Sequence, residues 1–75
     1  MNQPAEPQTV NIVVNGTPRQ VSQGTTIAAL LAELQMTANH VAVEVNLELV
    51  PRAKHAQHAL GEADRLEIVS LVGGG

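Results

Sequence analysis

The stretch TVNIVVNGTPRQVSQGTTIAALLAELQM, residues 9–36, decides the fold. Its first part alternates. Val10, Ile12 and Val14 share one parity, and Asn11, Val13 and Asn15 the other, which is the period of a strand with one buried face. Asn15-Gly16 follows. A type I′ turn needs positive φ at both central positions, and this dipeptide supplies it, so a tight hairpin is predicted. Residues 17–22 then return antiparallel. Pro18 has no backbone donor, which places this second strand at an edge or turns that position away from a ladder partner.

After Gln23-Gly24 the period changes. Ile27, Leu30, Leu31 and Leu34 stand at i, i+3, i+4 and i+7, one face of a helix. Thr25 or Thr26 supplies a capping hydroxyl. Ala28, Ala29 and Ala32 favour helix, and the spacing predicts one over residues 25–36.

Further out, Val41, Val43 and Val45 alternate with Ala42, Glu44 and Asn46 as a half-buried strand. Residues 47–50 continue it after a turn, and Pro51 stops regular pairing. Residues 52–60 are polar and Ala-rich and read as a short helical turn. Glu62-Ala63-Asp64 reads as a turn, residues 66–71 as the last strand, and Gly73-Gly74-Gly75 as a tail. Residues 1–8, with Pro4 and Pro7, carry too little apolar content to fold and are expected to be a disordered extension. The expected organisation is one domain over residues 9–72 with a flexible tail at 73–75. Strands with one main helix across one face make an α+β layer structure with a mixed sheet.

Composition narrows the chemistry. The 75 residues include no Phe, Tyr, Trp or Cys. A core of Val, Leu, Ile, Ala and Met in so short a chain leaves little room for a substrate-enclosing pocket. Without cysteine, thiolate metal sites are excluded, and so is sulfur carried on a side chain. The formal net charge is −3, with Arg19, Arg52, Lys54 and Arg65 as the fixed cations. No aromatic stacking platform accompanies them, which argues against nucleic-acid binding. No apolar run reaches bilayer length, and residues 1–8 lack the pattern of a signal peptide, so the expectation is a cytoplasmic protein without membrane contact.

The histidines do not make a metal site. His55 and His58 at i, i+3 could share a helix face, but no third ligand has suitable spacing, and the reading is solvent-exposed structural histidines. Glu62, Asp64 and Glu67 gather near the last strand. Without a cleft they are a solvated turn or a docking surface for a basic partner, not an acid–base pair. Ser22 and Ser70 have no His/Asp partners in sequence context. No residue is assigned a catalytic role.

The tail is the informative feature. A phosphate-cradling loop would need a following helix, and none follows. The role left is access: glycines without Cβ atoms pass through a channel too narrow for side chains and deliver the carboxylate of Gly75 into another protein's active site. The alternative is a frayed end or a linker. On the last strand, Leu66 and Ile68 are assigned to the helix side. That leaves Val69, Leu71 and the adjoining Val72 partly exposed as a docking patch, an assignment a one-residue slip would reverse.

Several segments together resemble the ThiS family, sulfur carriers of thiamine thiazole biosynthesis within the ubiquitin-like β-grasp group. They are Val10-Asn11-Ile12-Val13-Val14-Asn15-Gly16, Gly24-Thr25-Thr26-Ile27, Val43-Glu44-Val45-Asn46, Val50-Pro51-Arg52, Asp64-Arg65-Leu66-Glu67-Ile68-Val69 and Val72-Gly73-Gly74-Gly75. The resemblance runs over residues 9–75. Ala63 departs from it, since such proteins carry Gly before the Asp; the turn either has negative φ there or is mildly strained. The resemblance implies a β-grasp fold and a non-enzymatic role. A ThiF-type adenylyltransferase would use ATP to activate Gly75, with Gly73 and Gly74 threading its active site. Sulfur would arrive from a donor such as a cysteine desulfurase relay, and thiazole synthase would consume the thiocarboxylate. No cofactor is expected on the chain itself. A molybdopterin-synthase small-subunit type carrier and a ubiquitin-like protein modifier remain as alternatives, because both share the tail chemistry.

Overall fold

The computed structural model describes residues 8–71. Residues 1–7 of the extension expected at 1–8, Val72 and the tail 73–75 lie outside the described residues.

Five strands form one mixed sheet in the order β2-β1-β5-β3-β4, where β1 is Thr9–Val14, β2 Thr17–Ser22, β3 Val41–Val45, β4 Glu48–Val50 and β5 Arg65–Ser70. The hairpin forms as predicted. Asn15 and Gly16 have φ of 50° and 84°, and Val14 pairs with Thr17 at the turn. Pro18 sits on β2, at the sheet edge, where its missing donor costs no inner ladder bond. β5 is central, parallel to β1 and antiparallel to β3. Gln8 is already tied in, its carbonyl accepting from Gln23 N at 2.9 Å.

The helix α1 spans Ile27–Glu33, shorter than the predicted 25–36. Its start is Thr26, whose hydroxyl accepts from Ala29 N at 3.1 Å. The next free donors, Ile27 N and Ala28 N, go to the carbonyls of His58 and His55, so the segment before β5 finishes the cap. Its end is a Schellman arrangement. Met36 N donates to Leu31 O and Gln35 N to Ala32 O, with Gln35 at φ 59°. No glycine signals this stop, which is why the sequence overruns it.

Ile27, Leu30 and Leu31 are buried against Val10, Ile12, Val21, Val43, Val45, Val50, Leu60, Leu66 and Ile68. Leu34, the fourth member of the predicted face, is only partly buried because it stands at the helix C-cap. α1 therefore covers one face of the sheet and leaves the other open. Arg19 lies on the covered side, opposite Ile12, and pairs with Glu33 at 3.3 Å.

Candidate functional site

The site is built on β5 and the strands beside it. Alternation along β5 buries Leu66 and Ile68 under α1. Val69 is 53% exposed and Leu71, one residue past the strand, 61%. Leu71 is held at the end of the described chain by its N–H, which donates to His40 O at 2.7 Å. The tail sequence therefore leaves from the middle of the sheet, at a position fixed on the β3 side. A concavity of about 210 Å³ flanks this exit, and Leu71, Leu49, Ala42, Pro51 and Arg52 are among its lining residues. Leu49, 66% exposed, is a member that sequence reasoning missed. The parity of β4 could have found it, since burying Val50 turns Leu49 outward.

The histidines separate. His55 is not solvent-exposed, contrary to the sequence expectation; it is 3% exposed. Its Nε2 donates to Val50 O at 3.0 Å, and its Nδ1 has no partner. The ring thus ties the segment after the 3₁₀ turn Arg52–Lys54 back to the end of β4. His55, set between Lys54 and Ala56, gave no sign of this in the sequence, because the contact depends on the turn that Pro51 opens. His58 is half-buried and His40 exposed. Among the described residues no three His, Asp or Glu side chains gather as a metal site.

The carboxylates also separate. Glu62 accepts from Asn11 N at 2.9 Å and from Asn11 Nδ2 at 3.3 Å. Asp64 accepts from Gly61 N at 2.7 Å and from Asn46 Nδ2 at 3.0 Å. Both are built into the turn before β5. Ala63 between them has φ of 70°, so of the two conformations open to this turn the strained one is present. Glu67 stands apart on the open face, directly opposite Glu44 of β3.

The described residues thus provide a launching point for the tail and an apolar patch beside it, with no acid–base or nucleophilic constellation. Val72, Gly73, Gly74 and Gly75 lie outside the described residues. No helix among those described is long and apolar enough to cross a membrane.

Comparison with known proteins agrees with this arrangement. A profile of the ThiS family matches residues 12–75. The chain is 29% identical over 66 residues to the sulfur carrier protein ThiS of Escherichia coli, covering 88% of this chain and 100% of that protein. It is 47% identical over 66 residues to a thiazole synthase of Paramagnetospirillum magneticum, covering 88% of this chain but only 20% of that protein's length. The crystal structure of the thiamine biosynthesis protein ThiS from Geobacter metallireducens superposes with a TM-score of 0.75 at 30% identity, covering 88% of this chain and 100% of that one. The mixed five-stranded sheet with one helix is the β-grasp fold of that structure, and the chain belongs to the ThiS family.

Proposed function

We propose that this chain is the sulfur carrier of thiamine thiazole biosynthesis, a protein co-substrate and not an enzyme, working in the cytoplasm. The observation that carries the reading is the central strand β5, anchored through Leu71 and leading directly into Val72-Gly73-Gly74-Gly75 within a match to the ThiS family. A free carboxylate is a poor electrophile. The Gly75 carboxylate attacks the α-phosphorus of ATP on a ThiF-type adenylyltransferase and releases pyrophosphate. A persulfide of a donor relay then attacks the acyl carbon and displaces AMP to give an acyl disulfide. A thiol reductant cleaves its S–S bond, forming a disulfide with the donor's thiol and leaving a thiocarboxylate on Gly75. Gly73 and Gly74 form the thread, since side chains would widen it. Val69, Leu71 and Val72 are the docking patch, joined by Leu49. Thiazole synthase is the consumer, a reading supported by the carrier-like region inside proteins named thiazole synthase.

The test is intact-mass measurement after incubation with the adenylating enzyme, ATP and a sulfur source. A gain equal to replacing one oxygen by sulfur is expected. Unchanged mass, or adducts on other proteins, would overturn the reading.

A further inference from the structure

The sheet face turned away from α1 has a make-up that the fold itself does not require. Leu49, Val69 and Leu71 are exposed, three of the five large hydrophobic side chains so exposed among the described residues. Between Leu49 and the tail exit, β3 and β5 place Glu44 directly opposite Glu67. Leu49 flanks Glu44 from β4, and the neighbouring pair toward Leu71 is Ala42 with Val69. Like charges set directly across a sheet oppose folding. Among the described residues the ion pair is Arg19 with Glu33 on the covered side, and neither Glu44 nor Glu67 takes part in one. Arg65 stands further back, opposite Val13 of β1.

We infer that this half of the open face docks a partner protein that projects an arginine between Glu44 and Glu67 and lays apolar side chains over Leu49 and Val69. Charge complementarity selects the occupant. A planar guanidinium carries enough donors to serve two carboxylates at once, replacing their repulsion with charge-assisted hydrogen bonds. The apolar flanks keep water from screening the contact. The inference rests on the carrier reading, because it names the chemistry of the surface that meets the docking patch.

The experiment measures the affinity of the ThiF-type adenylyltransferase of the same organism at two salt concentrations, together with the melting temperature of the free carrier. The variants are Glu44→Gln, Glu67→Gln, Val69→Asp and, as a charge control, Glu48→Gln, an exposed residue on the opposite alternation of the strands. Glu44→Gln and Glu67→Gln should each melt about 1–4 °C higher and bind about tenfold more weakly with a shallower salt dependence. Glu48→Gln should change neither. Unchanged affinity in both Gln variants, with weak binding by Val69→Asp, would overturn the inference and leave the docking face standing. Unchanged affinity in all variants would overturn both. Weaker binding with lowered melting in the Gln variants would also overturn it, since the loss would then be structural.

Discussion

The side-chain amide of Asn15 takes the place of a strand partner for Ile68. Its Oδ1 accepts from Ile68 N at 2.7 Å and its Nδ2 donates to Ile68 O at 3.1 Å, after Asn15 N has donated to Leu66 O at 2.9 Å. β1 stops at Val14, yet β5 runs on to Ser70, so without this amide both backbone groups of Ile68 would lose a partner on the β1 side. Asn46 mirrors it from the other flank. It donates N–H to Arg65 O and accepts from Arg65 N at 3.0 Å. The first residues of two hairpin turns therefore grip the strand that leads to the tail.

Asn15→Ala should cost roughly 2–4 kcal/mol, from two lost hydrogen bonds at a part-buried position and from replacing asparagine, which tolerates positive φ, by alanine, which does so less well. Asn15→Gly keeps the turn and loses only the amide, for about 1–2 kcal/mol. Urea denaturation of the two variants separates turn from hook. Equal cost in both would mean that the turn conformation does not matter.

Ala63 at φ 70° and Leu47 at φ 72° occupy backbone conformations that glycine adopts without penalty. Ala63→Gly and Leu47→Gly should each stabilise by about 1 kcal/mol, raising the melting temperature about 4–8 °C. Leu47 is 88% exposed, so its removal leaves no cavity. A lowered melting temperature in either variant would show that the side chain holds the turn by some contact of its own.

Leu30→Ala and Leu31→Ala should each cost roughly 2–5 kcal/mol, because both side chains are buried between α1 and the sheet. Denaturation midpoints would show it directly. Unchanged midpoints in both variants would remove the helix from the core.

The elements that alternate or repeat every three to four residues were legible in the sequence. The hairpin at Asn15-Gly16, the Ile27, Leu30 and Leu31 face and the inward parity of Leu66 and Ile68 all follow from period and turn chemistry. What stayed hidden has no local period. The hooks of Asn15 and Asn46 reach β5 across 53 and 19 residues of chain. Gln35, Leu47 and Ala63 take positive φ without being glycine, because hydrogen bonds made elsewhere fix the backbone around them. His55 is buried by a tertiary contact with Val50 that no spacing encodes. Of the site, the outward parities of Val69 and Leu49 were readable from alternation, whereas the placement of Leu49 beside the tail exit required the strand order.

Val69→Asp should weaken binding to the adenylating enzyme while shifting stability by no more than about 0.5 kcal/mol, the usual range for an exposed position. Its side chain points away from α1, so a charge there meets water in the free carrier and an apolar surface in the complex. Calorimetric titration against the enzyme, with a melting curve as control, reads both effects. Normal affinity would exclude Val69 from the docking patch.

The tail offers the sharpest test of the carrier reading. A channel that admits only backbone gives a reason for Gly73-Gly74-Gly75 that an idle terminus does not. Ordering each residue in a partner costs about 1–2 kcal/mol of backbone entropy, and glycine is the most expensive residue to order. Glycines at these positions therefore make sense where side chains are excluded. Gly74→Val adds width and disfavours positive φ, so it should abolish adenylation. Its melting temperature should match wild type, because the described core is assembled within residues 10–68. Deleting Gly75 shortens the reach by about 3.3–3.6 Å and should also impair the reaction, since an in-line attack on the α-phosphorus tolerates little displacement. ATP–pyrophosphate exchange with the adenylating enzyme measures this first step without a sulfur donor. Exchange is expected with wild type and not with Gly74→Val or the deletion. Equal exchange in all three would make the tail a passive end and leave the proposed carrier without a mechanism.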